Sequence, residues 1–104
     1  MNLRVLTSAI EDLAHGRMFY DLQGDGLGDY FFDSLFSEVD SLLVFAGIHS
    51  LHSGYYRLLA TRFPYAIYYK VIAEEIVVYR VLDCRREPEW IKQQLAVPNP
   101  KPLR

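Results

Sequence analysis

The sequence predicts an α+β domain with a short first strand, an antiparallel helix hairpin packed on a mainly antiparallel β-sheet, and a short C-terminal helix. Two stretches with helical periodicity come first, at about 9–23 and 28–46. Three β-rich runs follow between residues 55 and 83, and only a few residues join them. Because a parallel crossover needs a dozen residues or more, these runs must pair antiparallel. Helices on one face of such a sheet define the α+β class.

The chain is predicted to begin with a strand at residues 2–6, followed by a helix at about 9–23. Ser8 and Glu11 fit a capping box, in which the serine hydroxyl bonds the third amide of the helix and the glutamate reaches back. Gly24 is a natural stop for this helix.

The second helix is predicted at about 28–46, where apolar side chains recur at helical spacing. They are Phe31, Phe32, Leu35, Val39, Leu42, Leu43 and Ala46. The short connection between the helices predicts an antiparallel hairpin. Residues 47–54 are expected to form the loop that leads into the sheet.

Strands are predicted at about 55–61, 65–73 and 75–83, with Pro64 in the first turn. A last helix, at about 88–95, begins at a proline, which suits the first helical position. Residues 1–96 are therefore expected to form a single domain. The tail, residues 97–104, contains three prolines and is expected to be extended and flexible.

Both faces of the predicted sheet are apolar. Tyr65, Ile67 and Tyr69 oppose Ala66, Tyr68 and Lys70 on one strand, and Val77, Tyr79 and Val81 oppose Ile76, Val78, Arg80 and Leu82 on the next. The helix hairpin covers only one face. Either another protein lies on the second face, or the last helix and the tail cover it.

Composition indicates a soluble, single-domain protein. The chain has 104 residues, of which 51% are apolar and 23% charged, which excludes a disordered chain. The N-terminal apolar run is short and contains Arg4, so it predicts neither a signal peptide nor a membrane span. The single cysteine, Cys84, cannot form an internal disulfide and is predicted to be a small buried residue. A cytoplasmic location fits these features best.

Charge is distributed unevenly along the chain. Residues 1–50 carry two basic and eight acidic residues, whereas residues 51–104 carry nine basic and five acidic residues. The net charge of the whole chain is −2. Proteins that bind RNA or DNA through phosphates usually have a clear basic excess, so the sequence disfavours nucleic acid as the direct partner.

No metal site or cofactor is predicted. His49 and His52 are three residues apart in a predicted loop with no cysteine nearby, and Cys84 has no histidine at a spacing that indicates a nucleophile pair. The glycine-rich segment 24–28 lacks a phosphate-binding pattern and follows a helix.

The strings RFPY-x-IYY (62–69) and VLDCRREP (81–88), together with Gly26-Leu27-Gly28 at the start of the second helix, resemble the RelE/ParE superfamily of type II toxins. They are most similar to its ParE-like, plasmid-stabilisation branch. The resemblance implies a RelE/ParE-like fold and a toxin that a cognate antitoxin neutralises in a hetero-oligomeric complex. For ParE-type members it also implies inhibition of growth through DNA gyrase, by protein binding and without catalytic residues.

Carried over to this chain, the pattern of the RNase branch of the superfamily is mostly absent. Its two lysines correspond to Tyr56 and Leu58, its strand arginine to Tyr65, and its late proton-handling residue to Ile91. Only the arginine after the last strand persists. The candidate catalytic residues are therefore Arg85 and Arg86 alone, and the sequence favours a binding protein over an enzyme.

The residues expected to bind a partner are basic or aromatic and lie in the second half of the chain. They are Arg57, Arg62, Tyr65, Tyr68, Arg80, Arg85, Arg86 and Trp90. An acidic antitoxin segment would be attracted to the arginines. The structural alternative is that these arginines pair with carboxylates of the chain itself, such as Asp83.

The sequence leaves three functions open. The chain is a toxin that binds and inhibits a protein such as gyrase, a ribosome-dependent mRNA endonuclease, or an inactive interaction scaffold.

Overall fold

The structure is a computed structural model that describes residues 1–96, so the predicted tail lies outside the described residues. The elements are β1 (Asn2–Val5), α1 (Thr7–Gln23), α2 (Leu27–Phe45), β2 (Leu51–His52), β3 (Tyr55–Leu59), β4 (Tyr65–Ile72), β5 (Glu75–Asp83) and α3 (Pro88–Ala96). The α+β architecture predicted from the sequence is confirmed, and most element bounds agree within two residues. None of the described helices has the length and apolar character that a membrane crossing requires.

The five strands form one sheet in the order β1-β5-β4-β3-β2. The strands from β2 to β5 pair antiparallel, and β1 pairs in parallel with the first half of β5. The strand β2, which has only two residues, lies in the segment that the sequence predicts to be a loop. It pairs with β3 through a two-residue hairpin at Ser53 and Gly54, whose φ angles of 54° and 85° suit a type I′ turn.

The capping-box prediction is wrong. The helix α1 begins at Thr7, so Ser8 lies within its first turn instead of at its N-cap. The hydroxyl of Ser8 donates a hydrogen bond to the carbonyl oxygen of Tyr79 at 2.6 Å. This bond ties α1 to the middle of β5.

The main core lies between the helix hairpin and the sheet. Its buried members are Ala9, Leu13, Phe31, Leu35, Val39, Leu42, Phe63, Tyr65, Ile67, Tyr69, Ile76, Val78 and Val81. The prediction for Val81 is wrong, because simple alternation puts it on the face opposite Ile76 and Val78. The pairing of β4 and β5 shifts between Tyr68 and Tyr69, and an extra residue in β5 reverses the alternation from that point on.

The second face of the sheet is covered in part by α3. Ala66, Tyr68 and Leu82 form a smaller core with Leu95 of α3, and Trp90 and Ile91 pack against it. The hydroxyl of Tyr55 donates to the carbonyl oxygen of Leu95 at 3.1 Å. Within residues 1–96, the last helix therefore covers part of the second face, which is one of the two alternatives that the sequence left open.

The helix hairpin is close-packed at Gly28. A Cβ atom at Gly28 would lie 2.5 Å from the carbonyl oxygen of Arg17 and from the Asp21 carboxylate, which accepts a hydrogen bond from the Gly28 amide. We expect Gly28→Ala to lower the free energy of unfolding by about 2 kcal/mol, since backbone atoms must move to relieve the overlap. Urea denaturation followed by circular dichroism measures this loss.

Gly24→Ala is the matched control for that substitution. Gly24 has extended backbone, and its added Cβ would meet only the end of the flexible Leu27 side chain, at 3.3 Å. We expect it to cost well under half as much as Gly28→Ala. Equal losses at the two glycines would contradict the close approach of the helices at Gly28.

Candidate partner-binding site

Arg80 joins three elements of the fold. Its guanidinium donates to the Asp12 carboxylate of α1 from Nε at 2.7 Å and from Nη2 at 2.8 Å, and to the carbonyl oxygen of Gln94 in α3 at 3.3 Å. The Asp12 carboxylate also accepts a hydrogen bond from the Val81 amide at 2.9 Å. The hydrogen bonds to Asp12 raise the pKa of Arg80 further above its usual range, so Arg80 remains positively charged and paired with this carboxylate. Arg80 thus links α1, β5 and α3.

Arg85 is also paired within the chain. Its Nε and Nη2 atoms donate to the Asp83 carboxylate at 3.0 and 2.8 Å, and its own amide donates to the same carboxylate at 2.9 Å. Burial alone would raise the pKa of Asp83, but the hydrogen bonds from Arg85 outweigh it and hold that pKa below its usual value. Arg80 and Arg85 therefore pair with carboxylates of the chain itself, which is the structural alternative given in the sequence analysis.

Arg86 keeps its charge available. Its guanidinium lies over the indole ring of Trp90, 3.7 Å from the ring centroid, which is a cation–π contact. Within residues 1–96, Arg86 forms no ion pair. The stacking fixes the position of the guanidinium without neutralising it.

Arg57 is held on the sheet opposite Tyr68. The two residues are directly paired in the β3–β4 register, and within the described chain Arg57 forms no ion pair. Tyr68 is only 2% exposed. Burial raises the pKa of its hydroxyl, and the Arg57 guanidinium, within hydrogen-bonding reach, opposes that shift only in part. The phenol therefore remains a neutral group with a proton to donate.

Arg57 and Arg86 line a common pocket of about 260 Å³ between the sheet and α3, which we call the cationic pocket. Its walls carry Arg57, Arg86 and Lys92, and no acidic side chain of the described chain lines it. The remaining lining residues are His52, Ser53, Tyr68, Cys84, Pro88, Ile91 and Leu95. Three positively charged side chains therefore line one small cavity, and no carboxylate of residues 1–96 lines it with them.

Cys84 is exposed at the rim of this pocket, so its prediction as a buried residue is wrong. The strand ends one residue earlier, at Asp83, and Cys84 belongs to the turn that follows. Although the residue is exposed as a whole, the protein around its sulfur removes enough water to raise the pKa of the thiol, and this desolvation outweighs the effect of the nearby charges. The thiol is therefore protonated near neutral pH and a weak nucleophile.

A larger groove of about 720 Å³ lies between α1 and α3, on the other side of Arg86; we call it the α1–α3 groove. It contains three carboxylates, those of Glu11, Asp12 and Asp83. Its other lining residues are Ser8, His15, Gly16, Phe19, Tyr65, Arg80, Val81, Leu82, Arg86, Trp90 and Gln94. Two adjoining cavities of different charge therefore share the side chain of Arg86.

The structure divides the predicted partner-binding residues into four groups. Arg57 and Tyr68 lie in the cationic pocket; Tyr65, Arg80 and Trp90 line the α1–α3 groove, and Arg86 lies in both. Arg85 and the exposed Arg62 line neither cavity. Sequence reasoning missed Lys92. Its signal was the spacing of Pro88, Ile91, Lys92 and Leu95, which share one face of a helix.

His49 and His52 have separate environments. The Nδ1 atom of His49 forms a hydrogen bond with the hydroxyl of the buried Tyr69, which also accepts one from the Gly47 amide at 2.9 Å. His52 lines the cationic pocket. Within residues 1–96, no group of three or more His, Cys, Asp or Glu side chains could hold a metal ion.

Ionisation of Tyr65 is expected to lower the stability of the fold at alkaline pH. Its burial, together with the charge of Asp83, raises the pKa of its hydroxyl to about 12. A raised pKa in the folded state contributes stability that is complete below the unfolded value of about 10 and is lost as pH rises to about 12. We expect the free energy of unfolding to fall over this range, less steeply in Tyr65→Phe, as measured by urea denaturation at each pH.

Tyr30→Phe is the control, because Tyr30 is 49% exposed. It should leave the alkaline loss of stability unchanged. If Tyr65→Phe left that loss unchanged as well, other groups would be responsible for it.

The chain is similar in structure to one chain of a solved structure described as the chromosomal ParDE TA system from P. aeruginosa. The TM-score is 0.72, the sequence identity is 23%, and the match covers 78% of this chain and 92% of the other. No protein-family model and no curated protein sequence matches this chain. The likeness confirms the fold expected from the RelE/ParE resemblance.

Proposed function

We propose that this chain is the toxin component of a type II toxin–antitoxin module, that it acts by binding a protein target, and that a cognate antitoxin neutralises it. The observation that carries the proposal is the fold shared with a chain of the ParDE system, at a TM-score of 0.72. The ParE-like strings of the sequence point to the same branch independently of that comparison. DNA gyrase is the target we propose.

Exposed apolar side chains support action through protein contacts. Two groups lie on the hairpin and just beyond it: Met18, Phe19 and Leu22 on α1, and Leu43, Val44, Phe45, Ile48 and Leu51 from the end of α2 to β2. Leu22 is 86% exposed and Val44 is 76% exposed. Large exposed apolar side chains at this density are typical of surfaces that another protein covers.

One observation favours mRNA cleavage as a second candidate. The cationic pocket brings His52 to the same cavity as Arg57, Arg86 and Lys92. Cleavage of RNA by its own 2′-hydroxyl needs positive charge at the phosphate and a group that moves a proton, and a histidine can supply the latter. Tyr68 and Cys84, whose pKa values are raised, are poor general bases near neutral pH.

Induced expression of the chain alone tests the proposal. Growth, plasmid supercoiling and total mRNA are followed together after induction. We expect growth arrest with relaxed or cleaved plasmid DNA and intact mRNA. Arrest with fragmented mRNA that His52→Ala prevents would favour the endonuclease. Unimpaired growth with soluble protein would overturn the toxin proposal and leave an inactive scaffold.

A further inference from the structure

We propose that the cationic pocket binds one carboxylate side chain of an acidic, partly apolar segment of a partner protein. The proposed function is needed only to identify that partner as the antitoxin. The geometry of the pocket argues for the carboxylate itself. Two of its groups, Arg86 and Lys92, come from the turn after β5 and from α3, whereas Arg57 comes from the sheet.

The donors of the pocket are complementary to a single oxyanion. Arg57 and Arg86 each present a guanidinium that can donate two parallel hydrogen bonds to a carboxylate. Tyr68 also lines the pocket, and its neutral hydroxyl can accept a hydrogen bond from Arg57 while keeping a proton to donate. Lys92 adds a third positive charge at the wall. Because no acidic side chain of residues 1–96 lines the pocket, an entering carboxylate does not have to displace one of them.

The apolar part of the lining favours a protein segment. Pro88, Ile91 and Leu95 lie beside the cations, so a residue next to the bound carboxylate can bury an apolar side chain. The volume of about 260 Å³ suits one or two side chains. An acidic segment with apolar residues between its carboxylates therefore satisfies both halves of the lining.

The surroundings of the pocket disfavour a nucleic acid strand. Arg86 separates the pocket from the α1–α3 groove, where the Glu11 carboxylate would repel the next phosphate and the carboxylates of Asp12 and Asp83 already bind Arg80 and Arg85. Affinity for a strand depends on many phosphate contacts, and the cationic pocket offers three cations. A single carboxylate needs no more than these.

Trp90 provides a direct readout of binding, since it is the only tryptophan and its ring lies against Arg86. The full chain is titrated with an acetylated peptide of alternating glutamate and leucine, and its indole fluorescence is recorded. The control peptide alternates glutamine and leucine. We expect saturable binding of the first peptide at least 10-fold tighter than of the second. The double variant R57Q/R86Q should weaken binding of the glutamate peptide at least 10-fold.

Arg62→Gln is the matched control, because Arg62 lines neither cavity and forms no ion pair within residues 1–96. It should leave the affinity unchanged. Because R57Q/R86Q also removes the stacked guanidinium, peptide affinity is measured in parallel by calorimetry. Equal binding of the two peptides, or an equal effect of Arg62→Gln, would overturn the inference.

A polyuridylate titration completes the experiment. Tighter binding of this RNA than of the glutamate peptide, with the same dependence on Arg57 and Arg86, would overturn the inference in favour of a nucleic acid ligand. These results are independent of growth inhibition. A non-toxic chain that still binds the glutamate peptide through Arg57 and Arg86 would contradict the proposed function and retain the pocket, whereas a toxic chain that fails to bind it would do the reverse.

Discussion

Phe31→Ala is expected to lower the free energy of unfolding by about 4 kcal/mol, because it empties the centre of an aromatic cluster. Phe31 is fully buried, and its ring packs against Tyr20, Phe63 and Tyr65 at centroid distances of 5.1, 5.1 and 4.8 Å. Rings in contact on several sides cannot collapse into the space that the truncation leaves. The cost therefore includes most of the cavity as well as the lost burial.

Urea denaturation measures this loss, with Phe32→Ala as the matched control. Phe32 is the next residue on the same helix, but it is only partly buried and its ring contacts Phe36 and the guanidinium of Arg17. We expect Phe32→Ala to lower the free energy of unfolding by less than half as much as Phe31→Ala. A domain of this size is stable by roughly 5–15 kcal/mol, so Phe31→Ala should leave a marginal fold. Comparable losses at the two positions would contradict a core centred on Phe31.

Asp12→Ala is expected to lower the free energy of unfolding by about 3 kcal/mol. The side chains of Asp12 and Arg80 are only 11% and 19% exposed, so the substitution leaves a largely buried guanidinium without its carboxylate. It also removes the acceptor of the Val81 amide. Because Arg80 also donates to the Gln94 carbonyl oxygen of α3, the loss of Asp12 should also loosen α3, and hydrogen exchange should increase at the amides of that helix.

Two comparisons make the Asp12 prediction specific. Asp83→Ala removes a pair whose arginine is 56% exposed and should cost about 1 kcal/mol or less. The double variant Asp12→Leu with Arg80→Met replaces the buried pair by apolar side chains and should recover much of the loss. If Asp12→Ala cost no more than Asp83→Ala, the contact would contribute little to the fold.

The sequence was sufficient for most of the architecture because apolar periodicity and turn residues are local signals. The helices, the three long strands and α3 follow from them. The strand β2 could not be recognised, since two residues carry no alternation. The face on which Val81 lies was predicted wrongly because a β-bulge reverses the alternation of side chains. No residue type in β5 indicates that bulge.

The candidate site could be predicted only as a set of residues. The sequence shows five arginines in the strand region, but it does not show which of them are neutralised. The partner of Arg80 is Asp12, 68 residues away, and this pairing depends on how α1 packs against β5. Arg57 and Arg86 come together, and join Lys92, only once α3 lies on the second face of the sheet. The division into structural and available arginines is therefore a tertiary property.

Neutralisation by a flanking gene product is the decisive test of the toxin proposal. The chain is expressed alone and together with the product of each flanking reading frame, and growth and complex formation on size-exclusion chromatography are measured. We expect that one flanking product, acidic in its second half, restores growth and elutes with the chain as one complex. A chain that arrests growth regardless of both flanking products, with all proteins soluble and no complex formed, would contradict the proposal that it is the toxin of a type II module.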